Sequence, residues 1–275
     1  MPRIQPSFMI IGERKCGTSS LYRYLIEHPE VLPAKVKEPA FFSKPISYIR
    51  RNFQDYLSFF PSTEEHKITL SWPELSKDGT LIDEDIDYLI NSSKSYITGE
   101  ASANTFSTVH PSKVHEFFPD MKFIVMVREP IARAISQHAM YRRYKKEGRK
   151  GSWLVGSPKR DLKIEKYAHQ LGLERGPFLA PGKYINNFRK WFQWFNQSQF
   201  LIINMHEMES QGQQVMNTLC DFLEIQHYDF SYILEKRFNS AGVMEASNDI
   251  RRLLKGFFDQ SNMELERLIK KELNW

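Results

Sequence analysis

Short apolar runs alternate with stretches of helical periodicity along most of this chain. Met121–Val127 is an almost continuous apolar run, as expected for a strand buried on both faces in the middle of a parallel sheet. Similar runs predict three more strands, at Ser7–Gly12, Ser95–Gly99 and Gln199–Asn204. Helical spacing of apolar residues and helix-boundary residues predict helices at Gly17–His28, Pro111–Phe118, Ile131–Glu147, Lys183–Phe195 and Asp259–Leu273. Strands alternating with helices predict an α/β fold in three layers, with a central, mostly parallel sheet flanked by helices.

Two segments give weaker signals. Ser43–Asp78 lacks strong periodicity, and we expect loops and short helices over one edge of the sheet. Lys145–Arg160 is polar, basic and contains glycine, which predicts a mobile loop. No linker-like stretch divides the sequence, so residues 1–275 are predicted to form a single domain.

Composition narrows the classes of function. The chain has 41% hydrophobic and 26% charged residues, which is typical of a globular protein. A net charge of +5 favours an anionic ligand and is too small to indicate nucleic acid. Two cysteines exclude a disulfide framework and a cysteine-based zinc site. The longest clean apolar run, Phe123–Val127, is far shorter than the roughly 20 residues of a membrane span. We therefore expect a cytoplasmic protein that binds neither membrane nor nucleic acid.

The segment after the first predicted strand has the composition of an anion-binding loop. Gly12 and Gly17 bracket four residues that include Lys15, and Thr18 opens the next helix. Glycines allow a tight turn, and the N–H groups at a helix start can bind a phosphate. A P-loop of NTPases would carry lysine where Thr18 stands. An ordinary strand–turn–helix is the alternative, but the lysine and three consecutive hydroxyl residues favour phosphate binding.

The end of the strongest predicted strand carries a cation rather than an acid. Arg128 directly follows Val127, and Ser136 lies eight residues further along the chain. Kinases and GTPases need an acid to hold Mg²⁺, commonly after such a strand. An arginine at the carboxyl end of a buried strand favours direct binding of a second anionic group. The pattern predicts a nucleotide site with two separate phosphate positions and no metal.

Several segments together resemble the sulfotransferases, above all the heparan-sulfate and carbohydrate type and its bacterial and cyanobacterial relatives. The matching segments occur in the order and spacing of that family: Arg14–Leu21, His28-Pro29, Lys37–Phe42, Gly99–Ser102, Val127–Ser136 and Gly182–Trp191. The resemblance implies a P-loop-like fold and the sulfuryl donor 3'-phosphoadenosine 5'-phosphosulfate (PAPS), without a metal. It also implies which residues bind the donor: Arg14, Lys15, Cys16, Gly17, Thr18, Ser19 and Ser20 for the 5'-phosphosulfate, Arg128 and Ser136 for the 3'-phosphate, and Lys236 and Arg237 on a loop that closes over the nucleotide.

The resemblance further implies two catalytic residues. Glu38 stands where the carbohydrate enzymes carry the glutamate that acts as general base, and a positioned carboxylate can accept the proton of an attacking hydroxyl. Lys15 would stabilise the bridging oxygen as the sulfuryl group departs. Tyr184 would approach the donor or the acceptor.

Two departures from the family pattern concern the acceptor. Ala40 replaces a frequent histidine, and Ala101 replaces the lysine of the carbohydrate enzymes. Glu100 would either add a second carboxylate to the acceptor site or make a structural hydrogen bond at the end of its strand. These features favour a small-molecule acceptor, such as a natural product of the saxitoxin type, over a sulfated polysaccharide. A carbohydrate O-sulfotransferase and a P-loop small-molecule kinase are the alternatives.

Two further features are open to interpretation. Six basic residues between positions 142 and 150 are either a solvated helix end or a docking surface for an anionic partner such as an acyl carrier protein. Cys16 stands near a helix N-terminus, a position that lowers the pKa of a thiol and can make it reactive.

Overall fold

The computed structural model describes residues 3–62, 64–75, 81–91, 93–149, 154–173, 176–236, 238 and 246–275. The strands are β1 Phe8–Gly12, β2 Val31–Pro33, β3 Lys67–Leu75, β4 Leu81–Leu89, β5 Ile97–Ala101, β6 Lys122–Val127 and β7 Phe200–Asn204. Five of them form the central sheet with the order β2-β5-β1-β6-β7, in which all four pairings are parallel. The other two, β3 and β4, form a separate antiparallel pair.

Helices connect and flank the strands. They are α1 Thr18–Leu25, α2 Ile46–Arg51, α3 Phe53–Ser58, α4 Thr105–Thr108, α5 Ser112–His115, α6 Pro130–Lys146, α7 Pro158–Gln170, α8 Tyr184–Trp191, α9 Met205–Ser210, α10 Gly212–Leu223, α11 Ser231–Leu234, α12 Asn248–Leu254 and α13 Asp259–Ile269. Short 3-10 turns occupy Phe41–Ser43, Ala180–Gly182 and Gln197–Gln199. In the described part of the chain, no helix combines the length and apolar character needed to cross a bilayer.

The predicted α/β architecture is confirmed, and two segments differ from the pattern predicted for them. All four predicted strands exist, and β1 and β6 lie side by side at the centre of the sheet. Within Ser43–Asp78, however, the chain forms β3 as well as the expected short helices. The side chains of Ile68, Leu70 and Trp72 alternate into the interior and are at most 2% exposed, so this strand has the period of two that the sequence analysis overlooked.

The segment Lys145–Arg160 also differs from its prediction. Helix α6 continues to Lys146 and α7 already begins at Pro158, so only part of the predicted loop is irregular, and residues 150–153 lie outside the described ranges. The Ser157 hydroxyl caps α7 by accepting from the N–H of Arg160, and Pro158 occupies the first helical position. This Ser-Pro start is a known helix signal that the polar composition of the segment obscured.

Burial explains why β1 and β6 take the central positions. Phe8–Ile11 and Phe123–Val127 are at most 1% exposed, so side chains on both faces of these strands are covered. The two strands also approach closely where β1 ends. A Cβ on Gly12 would lie 2.5 Å from the carbonyl oxygen of Met126, and the φ angle of Gly12 is +155°. Glycine is therefore required at the point where the chain leaves the sheet.

Candidate active site

The residues predicted to carry chemistry meet at one edge of the sheet. Because all four pairings are parallel, the loops after β2, β5, β1 and β6 leave the sheet at the same edge. In spatial order these loops carry Glu38, Ser102, Lys15 and Arg128. Neighbouring strands are about 4.8 Å apart, so three strand spacings separate the first loop from the last by roughly 15 Å. Ligands of open α/β sheets bind at this edge.

The loop between β1 and α1 has the geometry of an anion cradle. Gly17 has a φ of 94° and directly precedes α1, while Lys15 is left-handed with a φ of 72°. Glycine has no side chain to cap the helix, so N–H groups of its first turn remain available to an anion. Thr18 is buried, whereas Ser19 and Ser20 are half-buried. A non-glycine residue held in the left-handed region costs free energy, and such residues are frequent at functional sites.

Tyr184 connects this loop to the end of β6. Its hydroxyl donates to the carbonyl oxygen of Arg128 at 2.8 Å and accepts from the Arg128 N–H at 3.3 Å. The Sγ atom of Cys16 lies 3.4 Å from the hydroxyl oxygen of Tyr184. In addition, Nη1 of Arg128 donates to the carbonyl oxygen of Lys15 at 3.1 Å. Tyr184 itself is 1% exposed, so this buried hydroxyl joins the β1–α1 loop to the residue that follows β6.

The cradle is strongly electropositive. Burial lowers the pKa of Lys15, and the positive charges of Arg143 and Arg128 lower it further. An anion bound beside these cations would oppose both effects, because a nearby opposite charge favours the charged form of Lys15. Arg143 was missed by the sequence analysis, which placed it in the basic cluster at the end of α6. The available signal was its spacing, because Arg143 follows Ser136 by seven residues and therefore lies on the same face of α6.

The contacts of Arg143 leave part of its guanidinium group without a hydrogen bond. Nε lies 3.4 Å from the Glu147 carboxylate in an ion pair, but it is buried and has no hydrogen bond to any described residue. Two other members of the basic cluster have partners, since Arg149 pairs with Glu147 at 2.7 Å and Lys145 donates to the Val155 carbonyl at 2.7 Å.

The loop after α11 contacts α1, the helix that follows the anion cradle. Tyr24 donates to the carbonyl oxygen of Lys236 at 2.8 Å, and Ser20 donates to that of Phe238 at 3.0 Å. The Lys236 side chain is exposed. Arg237, also predicted to bind the donor, lies outside the described residues. The structure thus brings Lys236 to the side of α1.

Glu38 lies on an irregular loop between β2 and α2. Its side chain is exposed, and its φ of 52° is left-handed, as is that of Ala40 at 46°. The neighbouring Lys37 packs its ammonium group 4.7 Å from the ring centroid of Trp72 on β3, and burial lowers the pKa of Lys37. The antiparallel strand pair missed in the sequence analysis therefore supports the loop that carries the predicted base.

Glu100 occupies a different environment. It is 2% exposed, and its carboxylate accepts hydrogen bonds from Tyr56 at 2.8 Å and from Ser102 at 2.6 Å. Burial raises the pKa of Glu100, and the hydrogen bonds from Ser102 and Tyr56 oppose that rise. The sequence allowed Glu100 either to face the acceptor or to make a structural hydrogen bond. In the structure both of its carboxylate oxygen atoms accept hydrogen bonds from protein side chains, those of Tyr56 and Ser102.

Two buried groups in the cradle titrate abnormally. Burial raises the pKa of the Cys16 thiol, and Cys16 is fully buried, which corrects the expectation of a reactive cysteine. Burial also raises the pKa of Glu13 to about 7, although Arg133 opposes the rise. Glu13 is 3% exposed and accepts a hydrogen bond from Asn187 at 3.3 Å. In the described residues, no three or more His, Cys, Asp or Glu side chains are arranged to hold a metal ion.

Comparison with known proteins gives consistent relatives. Human bifunctional heparan sulfate N-deacetylase/N-sulfotransferase 3 is 23% identical over 304 residues, which cover 97% of this chain and 30% of that protein. Carbohydrate sulfotransferase 15 from rat is 26% identical over 259 residues, covering 81% of this chain and 44% of the relative. This chain therefore spans less than half the length of either protein.

Solved structures share the fold. A sulfotransferase from Alicyclobacillus acidocaldarius superimposes with a TM-score of 0.66 at 24% identity, covering 98% of this chain and 97% of the other. Mouse sulfotransferase SULT7A1, solved in complex with PAP, superimposes with a TM-score of 0.55 at 14% identity, covering 96% and 87% of the two chains. The sequence model of the Sulfotransferase family matches residues 6–229. This range includes the anion cradle after β1, Arg128 after β6 and the loop that carries Glu38. This chain belongs to the sulfotransferase family.

Proposed function

We propose that this chain forms a single PAPS-dependent sulfotransferase domain that transfers a sulfuryl group to a hydroxyl or amine of a small-molecule acceptor. One observation carries the proposal: the anion cradle, the arginine after β6 and the exposed carboxylate after β2 emerge at the same edge of one parallel sheet. This order of groups provides donor binding on one side and a base on the other. Membership of the family makes PAPS the expected donor.

The residues of the cradle fit an adenosine bisphosphate with an added sulfuryl group. Backbone N–H groups at the start of α1, together with Lys15, would hold the 5'-phosphosulfate. Arg128 and Ser136 would hold the 3'-phosphate. The positive charges that lower the pKa of Lys15 support binding of a multiply charged anion. When bound, PAPS supplies the sulfuryl group that is transferred.

Lys15 and Glu38 have separate tasks in this proposal. The ammonium group of Lys15 stabilises negative charge that develops on the donor side, and half-burial strengthens this interaction because water screens it less. Glu38 is exposed, on the loop that follows β2, and would accept the proton from the attacking hydroxyl or amine. The left-handed backbone at Lys15 and at Glu38 supports a constrained geometry for both residues.

The acceptor is proposed to be small and neutral or cationic, with saxitoxin-type natural products as one candidate class. Alanine stands at position 40, where the family often has histidine, and at position 101, where the carbohydrate enzymes have lysine, and Ala101 is buried. A carbohydrate O-sulfotransferase is the second candidate. The names of the relatives support a carbohydrate acceptor, with N-sulfation named for the human relative. A mass-spectrometric screen with PAPS should separate the two by comparing small hydroxy and amino compounds with heparan sulfate oligosaccharides.

Two substitutions test the division of tasks. Lys15→Ala should weaken binding of 3',5'-adenosine bisphosphate and lower kcat, because its charge acts on the donor. Glu38→Gln should leave that affinity nearly unchanged while kcat falls by roughly 10²–10⁴-fold. The measurements are calorimetry in EDTA and a sulfate-transfer assay with an acceptor from the screen. Near wild-type turnover of Glu38→Gln would remove Glu38 as base, and tighter binding of ATP–Mg²⁺ than of the bisphosphate would favour a kinase.

A further inference from the structure

Glu100 lies at the bottom of a chain of hydrogen bonds that ends at the Glu38 loop. The hydroxyl of Ser102 donates to Oε2 of Glu100 at 2.6 Å. Because the Ser102 hydroxyl donates its only proton to Glu100, its oxygen can act only as an acceptor toward other groups. This oxygen accepts a hydrogen bond from the backbone N–H of Ala40 at 3.3 Å. Ala40 is two residues from Glu38, and both have left-handed backbone conformations.

The other oxygen of Glu100 is fixed as well. Tyr56 donates to Oε1 at 2.8 Å and is fully buried. Its ring contacts those of Phe41, Phe42 and Phe60, with centroid distances of 4.9, 5.1 and 5.1 Å. Tyr56 therefore cannot turn away, and Glu100 is held between one rigid donor and the donor that supports Ala40.

The strained loop needs such support. A left-handed conformation costs a non-glycine residue free energy, and two such residues bracket Pro39. The Phe41–Ser43 turn follows at once, and the N–H of Ser43 donates to the Ala40 carbonyl oxygen at 3.1 Å. Consequently both backbone polar groups of Ala40 are bonded, one within its own loop and one to Ser102 on the neighbouring segment.

We infer that Glu100 is a positioning residue, which orients Ser102 so that it holds Ala40 and thereby fixes the loop that presents Glu38. The inference rests on the proposed function for its catalytic meaning, because Glu38 is a base only under that proposal. The mechanical part stands independently: the carboxylate sets the direction of the Ser102 hydroxyl, and the hydroxyl sets the backbone at Ala40. Glu100 does not contact the acceptor in this arrangement.

Hydrogen–deuterium exchange of the Ala40 amide tests the mechanical part without any acceptor. Ser102→Ala should accelerate its exchange at least about fivefold, which corresponds to ~1 kcal/mol for one hydrogen bond, and Ser102→Thr should restore protection because it keeps the hydroxyl. Glu100→Met keeps the length and removes the acceptor, and it should accelerate exchange at least about twofold. Tyr56→Phe is the matched control, since it removes only the hydrogen bond to Oε1 and keeps the Glu100–Ser102–Ala40 hydrogen bonds, so it should accelerate exchange at Ala40 less than Glu100→Met or Ser102→Ala does.

The catalytic part needs turnover and donor affinity. Ser102→Ala and Glu100→Met should lower kcat about tenfold or more, with the affinity for 3',5'-adenosine bisphosphate within about twofold of wild type. Unchanged exchange at Ala40 in Ser102→Ala would overturn the inference, as would full turnover in a variant whose exchange is accelerated. If Glu38→Gln alone keeps full turnover, the proposed base is wrong, and the exchange data still decide whether Glu100 and Ser102 hold the loop.

Discussion

The hydroxyl of Tyr184 donates to the carbonyl oxygen of Arg128 at 2.8 Å and accepts from its N–H at 3.3 Å. One side chain on α8 thus satisfies both backbone polar groups of the residue that leaves β6. The hydroxyl oxygen of Tyr184 also lies 3.4 Å from Sγ of Cys16 in the anion cradle. Tyr184 therefore couples the two segments that are proposed to bind the two phosphates of the donor.

Removal of this hydroxyl should weaken donor binding. Tyr184→Phe leaves the backbone groups of Arg128 without their buried partner, at a cost of about 1–3 kcal/mol. We expect the affinity for 3',5'-adenosine bisphosphate to fall about fivefold to a hundredfold by calorimetry. Tyr22→Phe is a matched control, because the buried Tyr22 hydroxyl also bridges backbone groups, at Gly99 and Ala34. Equal effects of both changes on affinity would contradict a specific coupling role.

Arg128 should distinguish ligands with and without a 3'-phosphate. A hydrogen bond to a charged group contributes ~1.5–3 kcal/mol, so Arg128→Ala should weaken 3',5'-adenosine bisphosphate about tenfold to a hundredfold or more. Adenosine 5'-monophosphate should lose much less, through the lost contact with the Lys15 carbonyl. Calorimetry with both ligands measures the difference. If both lose the same affinity, Arg128 supports the loop and does not bind the 3'-phosphate.

Arg143 should contribute to donor binding, although it lies outside the segments that resemble the family motifs, of which the nearest is Val127–Ser136. Its charge lowers the pKa of Lys15, and it lies on the face of α6 that carries Ser136. Arg143→Ala should weaken the bisphosphate severalfold and make its binding less dependent on salt, because one cation of the cradle is lost. The neighbouring Arg142→Ala removes the same charge from an exposed position and should have little effect. Titrations with the bisphosphate at two salt concentrations measure this difference. If the affinity of Arg143→Ala depends on salt as strongly as that of the wild type, the role of Arg143 is purely structural.

Glu13 should make stability depend on pH. Burial raises its pKa in the folded protein to about 7, from the 4.5 that is usual for an exposed glutamate. Between these values the folded state retains a proton that the unfolded state has released, so stability falls as pH rises through this window. Glu13→Gln removes the effect. Relative to wild type, the variant should therefore gain up to about 3 kcal/mol between pH 4.5 and pH 8. Parallel stability curves from urea unfolding at several pH values would contradict this assignment.

The sequence alone determined the local elements that carry the site. The apolar run at β6 and the Gly12–Gly17 loop are patterns within a few neighbouring residues, and burial or backbone freedom acts on them directly. For that reason β1, α1, β6 and the position of Arg128 could all be predicted. By contrast, β2 has only three residues, and the alternation in β3 lay within a segment of otherwise weak periodicity, so local patterns did not separate them from loops.

Tertiary structure alone decided which side chains meet. The sheet order β2-β5-β1-β6-β7 places Ser102 beside the Glu38 loop, although 62 residues separate Ser102 from Ala40 in sequence. Likewise the hydroxyl of Tyr184 donates a hydrogen bond to Arg128, 56 residues away in sequence, and no residue spacing in the sequence predicts that contact. Glu100 illustrates the physical reason. Its sequence neighbours indicated only a carboxylate at the end of a strand, either near the acceptor or in a structural hydrogen bond. The partner that separates these roles, Tyr56, is distant in sequence, and only the packed structure brings its hydroxyl within hydrogen-bonding distance.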